Sequence, residues 1–227
     1  MSAPELIRDD TGAPAGPGRP PFRLIAIAGT TARIDDIAEL ASAWREIGFG
    51  VMLRDSDHRR DTVETLAAHA LSLNLPPNIT LITNSFAVPG IAHVHYPSAF
   101  LPEIMSSSIA DIPRPDAAIQ WGYSAHSPDQ AMRAANAGGR YITFSPVFPT
   151  ASKPGHSGAG LDMLQHICAT VPIPVFALGG INPHNALSVL RSGAYGIASI
   201  SMFSSECRDL LERLLGELHA QLKEDIS

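Results

Sequence analysis

Two neighbouring stretches constrain the fold most: Val175-Phe176-Ala177-Leu178-Gly179-Gly180-Ile181-Asn182 and Gly193-Ala194-Tyr195-Gly196-Ile197-Ala198-Ser199-Ile200-Ser201. The first is an apolar run between Pro174 and a glycine pair. It reads as a strand buried on both faces, ending at a turn where the backbone comes close to something. The second repeats the pattern: a glycine, a short strand, then Ser199 and Ser201 at its end. Between them Pro183 to Arg191 has helical spacing, with Asn182 as the expected cap and Pro183 at the first helical position. Parallel strands joined by a helix and ending in small residues leave backbone N–H groups free at one rim, where an anion can bind. In a (β/α)8 barrel the loops after strands 7 and 8 form the usual phosphate grip.

The rest of the chain fits such a barrel. From Phe22 onward short apolar runs alternate with longer amphipathic ones, as in parallel βα units. Strands are expected at 23–28, 50–53, 78–83, 91–95, 117–121 and 140–144, ahead of the two already described. Helices are expected at 34–47, 61–73, 100–110, 127–137, 161–170 and 203–222. The stretch 84–90 after the third strand is too short for a full helix. Eight repeats favour a closed barrel over an open sheet, so the expected organisation is an α/β TIM barrel over residues 22–227. Residues 1–21 carry a Thr11-to-Pro21 run rich in Gly and Pro that suits neither a core nor regular hydrogen bonding, and are expected to form a flexible N-terminal arm.

Length and composition agree with one soluble domain: 227 residues, 45% hydrophobic. The 16 basic and 22 acidic residues give a net charge of −6 without a basic run, which argues against a nucleic-acid partner. No apolar stretch has the length of a membrane span and none has signal-peptide character, so a cytoplasmic location is expected. Cys168 and Cys207 lack metal-ligand spacing and read as reduced thiols. The sequence leaves a homo-oligomer open.

A barrel's chemistry sits where its strands end. Arg54 follows strand 2, Asn84 follows strand 3 and His95 ends strand 4. His126 follows strand 5, within Gly122-Tyr123-Ser124-Ala125-His126-Ser127. Thr150, Ser152 and Lys153 lie in the proline-stiffened loop after strand 6, which could fold over an anionic ligand. Gly179, Gly180, Ile200 and Ser201 complete the ring. Next to a helix start His126 should stay neutral and suit proton transfer; a loop histidine bonded to backbone is the plain alternative. For His95, in an apolar strand, a satisfied core histidine competes with a ligand contact. Arg54 needs an anionic partner, either a structural carboxylate or a substrate.

Four motifs in order then carry a resemblance: Ser124-Ala125-His126-Ser127, the loop Ser145-Pro146-Val147-Phe148-Pro149-Thr150-Ala151-Ser152-Lys153, the turn Ala177-Leu178-Gly179-Gly180-Ile181-Asn182 with Asn185, and Gly193-Ala194 leading to Ser199–Ser201. Over about 117–203 the chain resembles the thiamin phosphate synthase/TenI superfamily. The resemblance implies a (β/α)8 barrel in which Gly180, Ile200 and Ser201 hold the phosphate of a small-molecule thiazole phosphate. Thr150, Ser152 and Lys153 would lie over it.

In the synthase branch the second strand ends in Gln-x-Arg-x-Lys, whereas Met52, Arg54 and Ser56 stand here. The aspartate expected after the strand 3 asparagine is Ser85, and the second magnesium-binding aspartate falls near Ala99–Phe100. Loss of carboxylate ligands and a cation weakens any step that must expel pyrophosphate. The resemblance therefore implies a TenI-like thiazole tautomerase without metal or other cofactor, in which His126 relays the proton and Arg54 meets the substrate carboxylate. A divergent magnesium-dependent synthase and a non-catalytic thiazole phosphate binder are the alternatives.

Overall fold

The computed structural model describes residues 19–100, 119–152, 155, 157–203 and 211–216. Eight parallel strands close a barrel in sequence order. They are β1 (Leu24–Ala28), β2 (Phe49–Leu53), β3 (Ile79–Asn84), β4 (His93–Tyr96), β5 (Gln120–Ala125), β6 (Tyr141–Phe144), β7 (Val175–Leu178) and β8 (Gly196–Ser199). The register of β1 on β8, pairing Ala26 with Ser199, seals the ring. Among the described residues the α-helices are α1 (Thr31–Ala43), α2 (Arg60–Ser72), α3 (Pro128–Asn136), α4 (Gly160–Thr170), α5 (Ala186–Arg191) and α6 (residues 211–216).

The two-residue period of a strand splits the core in two. Leu24, Ala26, Ala28, Phe49, Val51 and Leu53 face outward and pack under the helices, joined by Ile34, Ile37, Val63 and Leu66. Ile25, Ile27, Met52, Ile82, Tyr141 and Phe176 point inward and fill the barrel with Phe22. Glycine makes room for the rings: a Cβ on Gly122 would run into the Tyr141 ring, and one on Gly196 into Phe176. The filling is apolar at the strands' N-terminal end and turns polar towards the other, where His95, Thr143 and Asn84 are buried.

Several expected boundaries shift. β5 starts three residues later than expected and runs to Ala125, since Gly122 and Ser124 sit inside the barrel and not in a loop. α1 begins at Thr31, capped by the Thr30 hydroxyl, and ends at Ala43 instead of continuing to Ile47. Asn182 does not cap α5; its Oδ1 accepts from the His184 N–H, and the helix starts only at Ala186. Residues 183–185 form a turn, so Pro183 is not its first helical residue. Of the expected arm, residues 19–21 lie under the barrel, with the Tyr195 hydroxyl donating to the Pro20 carbonyl at 2.8 Å. Residues 1–18 lie outside the described residues, as do 101–110 of the expected third helix and most of the C-terminal one. Among the described residues no helix is long and apolar enough to cross a membrane.

Candidate active site

A cup of about 670 Å³ opens at the C-terminal ends of the strands. Its β7 side is a backbone turn through Gly179 (φ 95°) and Gly180 (φ 67°). These angles favour glycine, and so does the space: a Cβ on Gly180 would lie 2.7 Å from Phe148 Cβ. Asn185 staples the turn by donating from Nδ2 to the Gly180 carbonyl and accepting at Oδ1 from the Asn182 N–H. At the end of β8 the Ser199 hydroxyl accepts from the Met202 N–H. From α1 Arg33 donates through Nη2 to the Ile200 carbonyl at 2.6 Å. The N–H groups of Gly180, Ile200 and Ser201 donate to no acceptor among the described residues. All three residues line the cup, which gives the β7–β8 rim the character of an anion receptor.

The loop after β6 continues the sheet instead of leaving it. Val147 N–H donates to the Leu178 carbonyl and Phe148 N–H to the Gly179 carbonyl, each at 3.0 Å. This explains the apolar pair in an otherwise polar loop: Val147 is buried in the core. Thr150 and Ser152 then line the cup, while Lys153 lies outside the described residues.

His126 sits just before α3, which Ser127 caps by accepting from the Gln130 N–H. Its Nδ1 is 2.7 Å from the Ser145 carbonyl oxygen. A carbonyl can only accept, so Nδ1 carries a proton, and in the neutral form of the ring the lone pair is on Nε2. The histidine is thus both bonded to backbone and on the cup wall, and the two readings of the sequence merge. Arg54, half-buried after β2, also lines the cup. Its guanidinium has no hydrogen-bond or ion-pair partner among the described residues, so no structural carboxylate there answers its charge. Asn84, 4% exposed, lines the wall beside it.

His95 is a correction. It does not line the cup but lies beneath it, 1% exposed, with Nε2 2.8 Å from the Ser124 hydroxyl and its ring stacked on Tyr141. Burial, helped by the Arg54 charge, pushes its pKa down to about 3, so it is neutral. Strand parity places it inside with Ser124, which does reach the cup. The sequence reading missed His58, which lines the cup from the loop after β2, and Ser145, which orients His126. Their place in βα loops was the available signal.

Among the described residues lining the cup none is acidic, and no three His, Cys, Asp or Glu side chains cluster. The oxygens this wall offers a hard cation are neutral amide, hydroxyl and carbonyl groups, so the described residues do not form a carboxylate magnesium site.

Fold and rim together define a (β/α)8 barrel with an anion-receptive cup. Residues 106–203 match the family model described as thiamine monophosphate synthase. The putative thiamine-phosphate synthase 2 of Aquifex aeolicus is 34% identical over 157 residues, covering 67% of this chain and 81% of that one. The thiamine-phosphate synthase of Methanocella arvoryzae is 48% identical over 86 residues, 37% of this chain and 41% of that one. In fold the chain is similar to the thiamine phosphate pyrophosphorylase structure from Pyrococcus furiosus, with a TM-score of 0.60, 24% identity and coverage of 87% and 96%. The chain belongs to the thiamine monophosphate synthase/TenI family.

Proposed function

We propose that the chain binds a thiazole phosphate in this cup and isomerises its carboxylated form by moving one proton, without a metal. The N–H groups of Gly180, Ile200 and Ser201 take the phosphate, and Arg54 takes the carboxylate at the other end of the ligand. Removal of the proton from the ring carbon leaves its electron pair to enter the ring as the double bond shifts. The exocyclic carbon gains a proton, so atoms and charge balance and the ring becomes aromatic. The observation that carries this reading is the His126 ring, held by the Ser145 carbonyl in the form whose Nε2 can accept and return a proton.

The names of the relatives speak for a second reading, a divergent thiamine-phosphate synthase. That activity joins a thiazole phosphate to a pyrimidine pyrophosphate and calls for magnesium. Two assays on the full chain decide between them: isomerisation of thiazole carboxylate phosphate followed by NMR, and formation of thiamine phosphate from the two precursors with magnesium. The proposal expects turnover in the first assay. Turnover in the second alone replaces it with the synthase, and ligand-induced thermal stabilisation with neither turnover replaces it with a binding protein.

A further inference from the structure

Among the described residues two other than glycine hold left-handed backbone, His58 (φ 57°) and Ser85 (φ 74°). They come from different loops, after β2 and after β3, and touch: His58 Nδ1 is 2.8 Å from the Ser85 hydroxyl. Such conformations persist only where their surroundings impose them, and they gather at functional sites.

The hydrogen bonds behind this pair fix the histidine's proton. Asn84 Nδ2 donates to the His95 carbonyl at 3.3 Å, which sets the orientation of the amide. Asn84 Oδ1, an acceptor only, then takes the single hydroxyl proton of Ser85 at 3.1 Å. Ser85 is therefore left to accept from His58, so Nδ1 of His58 carries a proton, and the neutral form of the ring has its lone pair on Nε2. The result is the tautomer found at His126, reached through a different chain of partners. His58 lines the β2–β3 wall, beside Arg54 and Asn84, while His126 stands three strands further round the ring.

We infer that His58 is a second catalytic proton carrier of the cup, with Ser85 as its positioning residue. The inference rests on the isomerase reading above. With the ligand carboxylate on Arg54, the ring carbon bearing it lies against the His58 wall. His58 Nε2 takes the proton from that carbon, and the C–H electron pair moves into the ring. His126, neutral in the free protein, first takes a proton from water at the open mouth on Nε2 and then gives it to the exocyclic carbon. The turnover ends with His58 protonated and His126 neutral, and exchange with water at the open mouth of the cup restores His58.

The test combines two readouts on the full chain. His58→Gln is expected to lower kcat by about 100-fold or more while KM for thiazole carboxylate phosphate stays within about threefold. Ser85→Ala should lower kcat less than His58→Gln does. Ring 15N shifts of His58 should report a proton on Nδ1 in the free protein, lost as the preferred form in Ser85→Ala, and should move when thiazole phosphate binds. An unchanged kcat in folded His58→Gln, a proton on Nε2 in the free protein, or ring shifts indifferent to thiazole phosphate each overturns the inference. A wild-type chain without isomerisation overturns the proposed function by itself, and the proton-carrier role with it; the ring shifts then tell whether His58 still meets ligand.

Discussion

Adding one methyl group at Gly180 is the most informative perturbation of the phosphate rim. With φ at 67°, an alanine there adopts a left-handed backbone at a cost of about 1–2 kcal/mol. Its Cβ would also stand 2.7 Å from Phe148 Cβ, so the β6 loop must give way, adding about 1–3 kcal/mol of overpacking. Gly138 separates the two costs, because it has φ 91° but nothing within 4 Å of a would-be Cβ. Gly138→Ala should therefore show the backbone cost alone. For a chain of this size each kcal/mol shifts Tm by about 2–4 °C, so Gly180→Ala should melt roughly 5–15 °C below wild type and clearly below Gly138→Ala. Displacing the rim should also misplace N–H donors to a charged group, each worth about 1.5–3 kcal/mol, and weaken thiazole phosphate roughly 10- to 100-fold. Thermal unfolding and titration calorimetry measure both effects. Equal melting of the two variants, with unaltered affinity in Gly180→Ala, would refute the reasoning.

His126→Asn should leave ligand affinity within a few-fold of wild type and lower turnover by about 10²–10⁴, the usual share of a positioned acid–base group; calorimetry and steady-state rates check it. Arg54→Gln should weaken the carboxylated thiazole phosphate about 10- to 100-fold by removing a charge-assisted bond, yet barely change binding of the thiazole phosphate lacking the carboxylate. Stability should fall as the pH drops from about 6.5 to 5: buried His95 stays neutral in the fold, while the unfolded chain takes up the proton. This group alone sets a slope approaching ~1.4 kcal/mol per pH unit. Half-buried His93, also lowered by burial, acts in the same sense. Denaturant midpoints of wild type and His95→Gln across that interval measure it, and the variant should show the flatter profile.

The barrel was legible because burial on both faces gives parallel strands continuous apolar runs, and Val175–Leu178 and the β1 and β2 runs have that character. β5 was less legible for the opposite reason. Its inward positions are Gly122 and Ser124, one leaving room for Tyr141 and the other meeting His95, so its second half has the composition of a loop. The β7–β8 rim could be read from glycines and small residues alone, since the N–H groups it turns to the cup belong to the backbone. His58 could not, because the reason it matters is a contact with Ser85, 27 positions away. The role of Asn182 was misjudged because an asparagine ahead of a proline suits a turn as well as a helix cap, and Asn185 decides for the turn.

The bonding of the β6 loop has a consequence for anyone reshaping this barrel. Ser145 holds His126, while Val147 and Phe148 hold the Leu178–Gly179 backbone, so one short segment ties His126 to the Gly179–Gly180 turn. Exchanging the loop after β6 with that of another barrel would slacken both of its neighbours. A change of substrate is best engineered by transplanting 124–126, 145–152 and 178–185 as one cassette, or by altering the β2–β3 wall and leaving that cassette intact.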